Sequence, residues 1–335
     1  MTPGFAPPDI ADFEAARARI AGHVRQTPCR RSALLSARAG VPVWLKCEHH
    51  QMTGAFKLRG ATNAVLRLGG GVAGVTTAST GNHGRALAHA ARAAGMRAVI
   101  CMSALVPANK IAAVEALGAE ARIIGQSQDD AAVEAARLAR DEGLALIPPF
   151  DHPDVVAGQA TLGLEMIDQL PEVATVAIPL SGGGLLSGVA AAMKARRAGL
   201  RVVGVSMRRG AAMAASLRAG HPVEVTEEPT LADSLGGGIG LDNRLTFAMV
   251  RDLMDDLVEL EEDEIARGIA WLWAVEGERV EGAGAVGVAA LLAGRLRPRG
   301  GPLLLPLSGA NIDPALHARI CADHAPAPEE VKATQ

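Results

Sequence analysis

Five of the basic residues in this chain are lysines, so each can be examined separately for chemistry; they are Lys46, Lys57, Lys110, Lys194 and Lys332. Lys57 follows the turn Thr53-Gly54-Ala55-Phe56 and opens the helix-forming run Leu58-Arg59-Gly60-Ala61. An amine at a helix N-terminus lies in the positive end of the helix dipole and is partly desolvated, and both effects lower its pKa. Such an amine is suited to form a Schiff base with a carbonyl group. On this motif alone, a solvated lysine at a helix start is an equally good interpretation.

A polar turn, Ser79-Thr80-Gly81-Asn82-His83-Gly84, lies between a predicted strand and a predicted helix. Backbone N–H groups at such a turn, together with the hydroxyls of Ser79 and Thr80, can bind a carboxylate or a phosphate. Asn82 could instead serve only as the N-cap of the helix. Considered by itself, this turn favours the N-cap interpretation.

Three consecutive glycines stand in the segment Ser181-Gly182-Gly183-Gly184-Leu185-Leu186-Ser187-Gly188, which follows a predicted strand. Glycines let the backbone approach a ligand closely and direct several N–H groups at a phosphate. The segment lacks the Lys-Ser/Thr pair of a Walker A loop and the G-x-G-x-x-G order of a dinucleotide site. Ser206 also stands where a dinucleotide site would place an acidic residue. A phosphate-bearing cofactor that is not a nucleotide fits this loop best.

A fourth turn, Ser308-Gly309-Ala310-Asn311, follows the apolar run 303–307. Alone, it is an ordinary strand-to-helix connection. Four turns of ligand-binding type are a much stronger signal than one, because open α/β sheets bind ligands at the carboxyl ends of their strands. Together the four turns predict a ligand site at these strand ends.

The elements that must position these turns alternate between short apolar strands and longer alanine-rich helices. The predicted strands are 43–47, 75–78, 98–102, 121–124, 145–147, 175–180, 202–205, 257–260 and 303–307. The predicted helices include 13–23, 57–68, 82–94, 129–142, 185–198, 262–275 and 283–293. This alternation predicts a two-lobed α/β fold of parallel, twisted sheets with helices on both faces. The proline-rich segment 148–153 interrupts the rhythm and marks a candidate crossing between the lobes.

Composition excludes several classes of protein. With 335 residues, 49% of them hydrophobic, the chain is long enough for a large globular core. A formal charge of −3 and 2% of aromatic residues leave little with which to bind nucleic acid. Four widely separated cysteines favour free thiols in a reducing cytoplasm. Because neither a signal-peptide pattern nor a membrane-spanning apolar run is present, we expect a soluble cytoplasmic protein.

In their order along the chain, the motifs resemble those of the serine/threonine dehydratase group of fold-type II, tryptophan-synthase-β-like, pyridoxal-phosphate (PLP) enzymes. The resemblance runs from about Thr27 to Asn311 and is carried by 53–61, 79–84, 148–151, 158–161, 181–185 and 308–311. It implies a PLP-dependent lyase that removes water, then ammonia, from a small β-hydroxy amino acid such as serine, threonine or 3-hydroxyaspartate. It also implies a homodimer. The implied lobes are a large cofactor lobe (1–69 and 151–323), a smaller mobile lobe (70–150) and a flexible tail (324–335).

The resemblance assigns roles to the candidate residues: Lys57 would carry the cofactor and later take the Cα proton. Asn82 would hydrogen-bond the cofactor's 3-oxygen, and Ser308 would contact its pyridine nitrogen. The implied cofactor contacts are Phe56, Lys57, Asn82, Ser181, Gly182, Gly183, Gly184, Leu185 and Ser308. The implied substrate contacts are Ser79, Thr80, Gly81, Asn82 and His83. One of Glu276, Glu278 and Glu281 is also expected to face the site, because 281–284 resembles a family segment near the cofactor.

Several positions depart from this family's pattern. Thr80 replaces the serine that serine-racemase-like members use as a second base, so racemase activity is not expected. Ser206 and Ala212 stand where those members bind a divalent cation through carboxylates, so neither a metal site nor metal dependence is expected. Arg208 and Arg209 could supply the missing positive charge, although surface exposure is the more common situation of an arginine.

Other features bear on the substrate. Arg85 occupies a position where glutamine is common, and it could either face the distal end of an acidic substrate or be exposed to solvent. The segments 204–213 and 234–243 are similar to those of the hydroxyectoine utilisation dehydratases. That similarity points to a role in compatible-solute breakdown and to an unusual hydroxylated substrate.

Three alternative functions compete with the lyase. A β-replacement enzyme of the cysteine-synthase or threonine-synthase type would share the fold, but cysteine synthases carry Lys-Asp-Arg where this chain has Lys57-Leu58-Arg59. A nicotinamide oxidoreductase would leave the Lys57 motif unexplained. A non-catalytic binding protein on this fold should lack the lysine. The motifs therefore favour the PLP-dependent lyase.

Overall fold

The computed structural model describes residues 5–79, 81–106 and 108–332. The helices are α1 (Ile10–Ile20), α2 (Ala33–Ala39), α3 (Lys57–Arg67), α4 (Asn82–Ala93), α5 (Ala108–Glu115), α6 (Gln128–Glu142), α7 (Pro153–Gln169), α8 (Gly184–Arg196), α9 (Ala212–Ala219), α10 (Thr246–Leu253), α11 (Glu262–Ala274), α12 (Gly282–Leu292), α13 (Pro314–Asp323) and α14 (Pro328–Lys332). The strands are β1 (Cys29–Ser32), β2 (Val43–Lys46), β3 (Val75–Ala78), β4 (Ala98–Met102), β5 (Glu120–Ile123), β6 (Ala145–Leu146), β7 (Thr175–Pro179), β8 (Arg201–Met207), β9 (Asp256–Leu260) and β10 (Leu303–Pro306). Two 3₁₀ turns lie at Glu48–His50 and Asp233–Leu235.

The strands form two sheets. One sheet has six strands in the order β1-β2-β10-β7-β8-β9, and the other has four strands in the order β5-β4-β3-β6. All neighbouring strands run parallel except the edge pair β1 and β2, which is antiparallel. The predicted α/β class is confirmed. Strand β1 was not predicted, because its sequence Cys-Arg-Arg-Ser carries no apolar alternation.

Each sheet is covered on both faces, as its residue alternation shows. In the six-stranded sheet, Val203 and Val205 pack in one hydrophobic cluster and Val202 in another. In the four-stranded sheet, Ile100 packs on one face while Val99 packs on the other. Alternate strand residues point to opposite faces, so near-continuous apolar strands are expected where helices cover both sides.

Helix α3, which Lys57 opens, packs closely against α7. A Cβ atom at Gly158 would lie 2.5 Å from the Cα of Gly60, so the two helices approach through facing glycines. Helix α7 was not among the predicted helices; Pro153 occupies its first turn and the His152 ring accepts the N–H of Asp154. The segment 158–161, one of those that carry the family resemblance, therefore includes a glycine that the close packing of α7 against α3 requires.

The packing around the four-stranded sheet extends beyond residues 70–150. Leu58 and Val65 of α3, and Val155 of α7, belong to the same hydrophobic cluster as Val75 of β3. The division into a large lobe and a mobile small lobe stays a prediction. Because α3 packs in this cluster, any movement of the four-stranded sheet would also shift α3, the helix that Lys57 opens.

Two further features concern the ends and the surface. Within the segment predicted as a flexible tail, residues 328–332 form helix α14, and Glu330 lies 3.4 Å from Arg38. Pro328 at the helix start and two glutamates in the first turn favour this short helix.

Among the residues that the structure describes, no helix combines the length and apolar character needed to cross a membrane.

Candidate active site

The predicted ligand turns converge on one cleft of about 1060 Å³ at the carboxyl ends of β3, β7 and β10. The sequence-predicted residues that line it are Phe56, Lys57, Ser79, Gly81, Asn82, His83, Ser181, Gly182, Gly183, Gly184, Leu185 and Ser308. Thr80 lies outside the described residues. A cleft of this size, lined from both sheets, matches the usual dimensions of a cofactor site.

Lys57 is held at the floor of the cleft by its neighbours. The Phe56 N–H donates to the carbonyl of Ser308 at 3.0 Å, and Ala55 forms an antiparallel bridge with Gly309. The Lys57 Nζ donates to the carbonyl of Pro149 at 2.6 Å. Burial lowers the pKa of Lys57 to about 8, so about a tenth of the amine is neutral and nucleophilic at pH 7, far more than for an ordinary lysine. The structure therefore favours the reactive-amine interpretation over a solvated lysine.

The glycine loop precedes α8, and Phe150 explains two of its glycines. A Cβ atom at Gly182 would lie 2.3 Å from the Phe150 ring, and one at Gly184 would lie 2.9 Å from Phe150 Cβ. Gly183 adopts a positive φ of 88°, which favours glycine. The first N–H groups of a helix have no partner within the helix, so this loop presents donors to the cleft. The glycines thus serve both close packing and anion binding.

The turn before α4 differs from the simpler interpretation of its sequence. Gly81 occupies the N-cap position, Asn82 is the first helical residue, and the Ser79 hydroxyl accepts the N–H of Gly84 at 3.3 Å. The interpretation of Asn82 as the N-cap is therefore wrong.

His83 is buried, and its Nε2 donates to the carbonyl of Ile147 at 2.9 Å. Burial and the nearby Lys57 lower the pKa of His83 to about 3, so its ring is neutral.

A buried carboxylate, Glu281, stands behind Asn82. The Asn82 amide donates to Glu281 Oε1 at 2.7 Å, and the Asn311 N–H donates to Oε2 at 2.9 Å. The Asn311 amide also donates to Asn82 Oδ1 at 2.6 Å. Glu281 is the glutamate that faces the cleft, whereas Glu276 and Glu278 bind Arg30 elsewhere. The sequence offered three glutamates, and only the tertiary structure selects among them.

Burial, with added repulsion from Asp233, raises the pKa of Glu281 to about 7, against 4.5 for an ordinary glutamate. The folded chain therefore holds this proton between about pH 4.5 and pH 7, and stability is lost as the pH rises through about 7. We expect the unfolding free energy of the wild type to fall by about 2–3 kcal/mol across that range relative to Glu281→Gln, whose side chain stays neutral. Denaturant unfolding at a series of pH values measures this difference; parallel pH profiles for the two proteins would contradict it.

An ion cluster holds α3 in position two residues beyond Lys57. The Arg59 guanidinium donates to both oxygens of Glu48 at 2.8 Å and to Glu165 at 2.8 Å. Lys46 is fully buried and pairs with Glu165. A buried charge needs such partners, because an unpaired one would cost several kcal/mol. Lys46, one of the five lysines, therefore supports the site without reaching the cleft.

The arginines considered from the sequence lie at the margins. Arg85 donates to Asn311 Oδ1 at 3.0 Å, behind the residues that line the cleft. Arg208 and Arg209 are half-exposed; Arg208 pairs with Glu261, and Arg209 pairs with Glu228 at the rim of the cleft. These pairings fit surface arginines better than a replacement for a bound cation.

The donor set of the cleft fits PLP. A buried amine stands at Lys57 for covalent attachment, the N–H groups at the start of α8 suit a phosphate, and the neutral Ser308 hydroxyl suits a ring nitrogen. His83 Nδ1 is buried with no hydrogen-bond partner in the described part of the chain, as expected of an atom awaiting a ligand. If PLP binds here, these residues hold it.

Comparison with known proteins agrees with this fit. Residues 20–309 match the family model described as pyridoxal-phosphate dependent enzyme. A Sinorhizobium fredii protein that carries threonine dehydratase as a provisional name is 56% identical over 93% of this chain and 94% of its own length. The Thermotoga maritima L-threonine ammonia-lyase is 38% identical over 93% of this chain and 77% of its own length.

A solved structure shares the whole fold. The structure of maize serine racemase superimposes with a TM-score of 0.89 at 32% identity, covering 95% of this chain and 98% of that one. The family model spans most of the chain, and the site residues that fit the cofactor lie within it. This chain therefore belongs to the pyridoxal-phosphate dependent enzymes and is a PLP-dependent lyase of their serine/threonine dehydratase-like group, with the fold-type II architecture.

Proposed function

We propose that this protein eliminates water from a small β-hydroxy α-amino acid and releases a 2-oxo acid and ammonia. The observation that carries the proposal is the partly buried Lys57 amine, with its lowered pKa, which faces a cleft shared with an anion-binding loop and with Ser308. Relatives named threonine dehydratase or L-threonine ammonia-lyase support the same reaction. Elimination needs one base at Cα and a route by which the β-hydroxyl leaves, and this cleft supplies the base.

Each residue then has a defined task. When bound, PLP supplies an electron sink for the negative charge that develops at the substrate Cα. Lys57 anchors the cofactor and, once displaced by the substrate amine, takes the Cα proton with an amine whose pKa of about 8 suits a general base. The Ser308 hydroxyl can hydrogen-bond a ring nitrogen but cannot hold a full positive charge there, as an aspartate would. Ser308 would therefore support the withdrawal of negative charge from Cα less than an aspartate would, and this would favour early departure of the β-hydroxyl.

The turn at Ser79–His83 is proposed to bind the substrate carboxylate. Its Ser79, Gly81, Asn82 and His83 line the cleft beside Lys57, and the N-terminus of α4 presents its positive dipole end there. The α-carboxylate is common to all amino-acid substrates, so this turn orients Cα toward Lys57 without selecting a side chain. Movement of the small sheet over the cleft would exclude water from the reacting atoms.

The charge of the cleft ranks the candidate substrates. Among the described residues that line it, six carry carboxyl groups (Asp129, Glu224, Glu227, Glu228, Asp233 and Glu281) and two carry amines (Lys57 and Lys110). Glu281 is protonated below about pH 7 and Glu228 pairs with Arg209, so Asp129, Glu224, Glu227 and Asp233 carry the negative charge of the cleft. Lys110 is itself within 3.5 Å of Asp233. A second carboxylate on the substrate would be repelled, whereas a neutral or cationic distal group would be accepted. We therefore propose serine, threonine or a hydroxyectoine-derived amino acid with a second amino group, and not 3-hydroxyaspartate.

The test is a substrate comparison on the purified holoenzyme. L-serine, L-threonine, 3-hydroxyaspartate and 2,4-diamino-3-hydroxybutyrate are supplied separately, and ammonia and 2-oxo acid are both measured. We expect equimolar products from at least one neutral or cationic substrate, with kcat/KM for 3-hydroxyaspartate at least about tenfold lower, equivalent to about 1.4 kcal/mol. A preference for 3-hydroxyaspartate would refute the charge argument. A product that forms only with added sulfide would refute elimination and favour β-replacement.

Further properties are proposed on the same basis. A preference for the diamino substrate would support a role in hydroxyectoine breakdown. A cytoplasmic location is supported by the four unpaired cysteines, which are Cys29, Cys47, Cys101 and Cys321. A homodimer is proposed from the family resemblance, and gel filtration of the purified chain measures it directly.

A further inference from the structure

Outside the cleft, three side chains with metal-ligand atoms converge at the described surface: His49, His50 and Glu278. The Nε2 atom of His49 lies 2.8 Å from Glu278 Oε2, and that of His50 lies 3.0 Å from the same oxygen. The centroids of the two rings are 4.1 Å apart. Two imidazole nitrogens and one carboxylate oxygen therefore meet around a single point.

We propose that His49, His50 and Glu278 form a binding site for one divalent transition-metal ion of the zinc type. Two imidazoles and a carboxylate are a ligand set that zinc uses with an open fourth position. Tetrahedral ligands at zinc distances lie about 3.3 Å apart, so the two contacts with Glu278 Oε2 need to lengthen by only a few tenths of an ångström, and all three ligand atoms already lie within 4.8 Å of one another. Hard cations such as Mg²⁺ prefer oxygen ligands and are not expected here.

The charges at the ligand atoms permit a cation. The Arg30 guanidinium contacts Glu276 at 2.7 Å and Glu278 Oε1 at 3.2 Å, so one guanidinium faces two carboxylates. The Arg25 guanidinium also lies near the cluster, where it donates to the carbonyl of His50 at 3.2 Å. Arg30 contacts Glu278 Oε1, so the other oxygen, Oε2, is left for the ligand position beside the imidazoles.

The backbone around the cluster is already ordered. Glu48 is locked by Arg59, and the His49 N–H donates to the carbonyl of Leu307 at 2.8 Å. The Glu278 N–H donates to the carbonyl of Leu272 at 2.9 Å. Ligands held this way lose little freedom on binding, which preserves affinity.

Access and tautomer are also suitable. The side chain of His49 is 3% exposed, that of Glu278 is 13% exposed and that of His50 is 44% exposed, so an ion can enter from the His50 side and keep a water ligand. His49 Nδ1 has no hydrogen-bond partner among the described residues. The contact with Glu278 Oε2 places the ring proton on Nε2, so an ion that binds there would displace this proton, and Nδ1 has no competing hydrogen bond within the described ranges that would oppose its transfer.

The site would join two segments that are far apart in the chain, residues 48–50 and residue 278. An ion that binds the folded chain and not the unfolded chain raises the thermal midpoint as its concentration exceeds its Kd. This metal site does not depend on the proposed reaction. The activity itself is still expected to be independent of metal, because Ser206 and Ala212 replace the carboxylates of the family's cation site.

The experiment uses tag-free holoenzyme that has been stripped with a chelator and then dialysed against ZnCl₂, with bound zinc measured per chain. His50→Gln keeps an N–H that can donate to Glu278 but removes a metal ligand, and Glu278→Gln removes the carboxylate. His221→Gln, at an exposed histidine elsewhere, and Cys321→Ser, beside His317, are the matched controls. We expect one zinc per chain and a raised thermal midpoint in the wild type and in both controls.

Both site variants should bind zinc at least about tenfold more weakly and lose the shift of the midpoint, because removal of even a supporting residue around a metal costs about 10–100-fold. Equal stoichiometry and affinity in wild type and His50→Gln would overturn the proposal, as would no bound zinc in the wild type. Loss of zinc from Cys321→Ser alone would overturn it too, by moving the site to His317. If Glu278→Gln does not fold, the exposed His50→Gln variant decides the question by itself.

Discussion

Lys57→Ala is expected to reduce ammonia release by at least about 10³-fold, because the proposed function assigns to this one amine both the anchoring of the cofactor and the removal of the Cα proton. No other lysine is placed to replace it: of the two lysines that line the described cleft, Lys110 faces Asp233. Turnover of the best substrate measures the loss. Covalent attachment of PLP, trapped by borohydride and detected as added mass, should disappear together with the activity.

The control for this variant is Lys194→Ala. Lys194 lies on α8 and pairs with Asp255 at 2.9 Å at the surface, so its removal should cost no more than about 1 kcal/mol and leave turnover unchanged. Lys57→Ala itself should fold, because removing a buried amine also removes its desolvation cost. Full turnover by folded Lys57→Ala would refute both the attachment site and the base.

Gly182→Ala is the second substitution for which we expect a large effect. The new methyl group would lie 2.3 Å from the Phe150 ring, and the Cβ and backbone of Phe150 are held close to Gly184, so either the ring or the loop must move. Phe150 follows Pro149, whose carbonyl accepts the Lys57 amine, so a displacement there reaches the reacting amine. We expect kcat/KM to fall by about 10²-fold and unfolding to become easier by about 1–3 kcal/mol, with weaker retention of PLP.

A matched control for Gly182→Ala lies beyond the opposite end of the same helix. A Cβ atom at Gly199 meets no atom within 4 Å, and its φ is not positive, so Gly199→Ala should change stability by less than about 0.5 kcal/mol. PLP titration, steady-state kinetics and denaturant unfolding compare the two variants. Equal behaviour of Gly182→Ala and Gly199→Ala would show that Phe150 yields without cost and that the loop does not depend on this contact.

The two variants separate chemistry from architecture. Lys57→Ala removes a reactive group from an intact cleft, whereas Gly182→Ala moves an intact set of groups apart. The ion cluster of Arg59 with Glu48 and Glu165 contributes to the architecture, because it fixes the position of helix α3, which Lys57 opens. Agreement of both results with expectation would show that the cleft acts through one amine whose position depends on packing.

Much of this protein is readable from local sequence. Alternating apolar strands and alanine-rich helices predicted the α/β class, and short motifs placed Lys57 at a helix start and the glycine loop before α8. These features are local: a strand or a helix start depends on residues within a few positions. The boundaries were less accurate, because α1 begins at Ile10 through the cap made by Asp9, and the capping side chain lies outside the apolar pattern.

The sequence by itself thus determined the fold class, and it predicted the lysine and the four turns that meet at the cleft. Only the tertiary structure decided that Glu281 faces the cleft while Glu278 joins His49 and His50, and that Phe150 fills the space beside Gly182. These contacts join residues that are tens to hundreds of positions apart. Their partners depend on how sheets stack and which helix faces meet, and no local pattern of residue types encodes that choice.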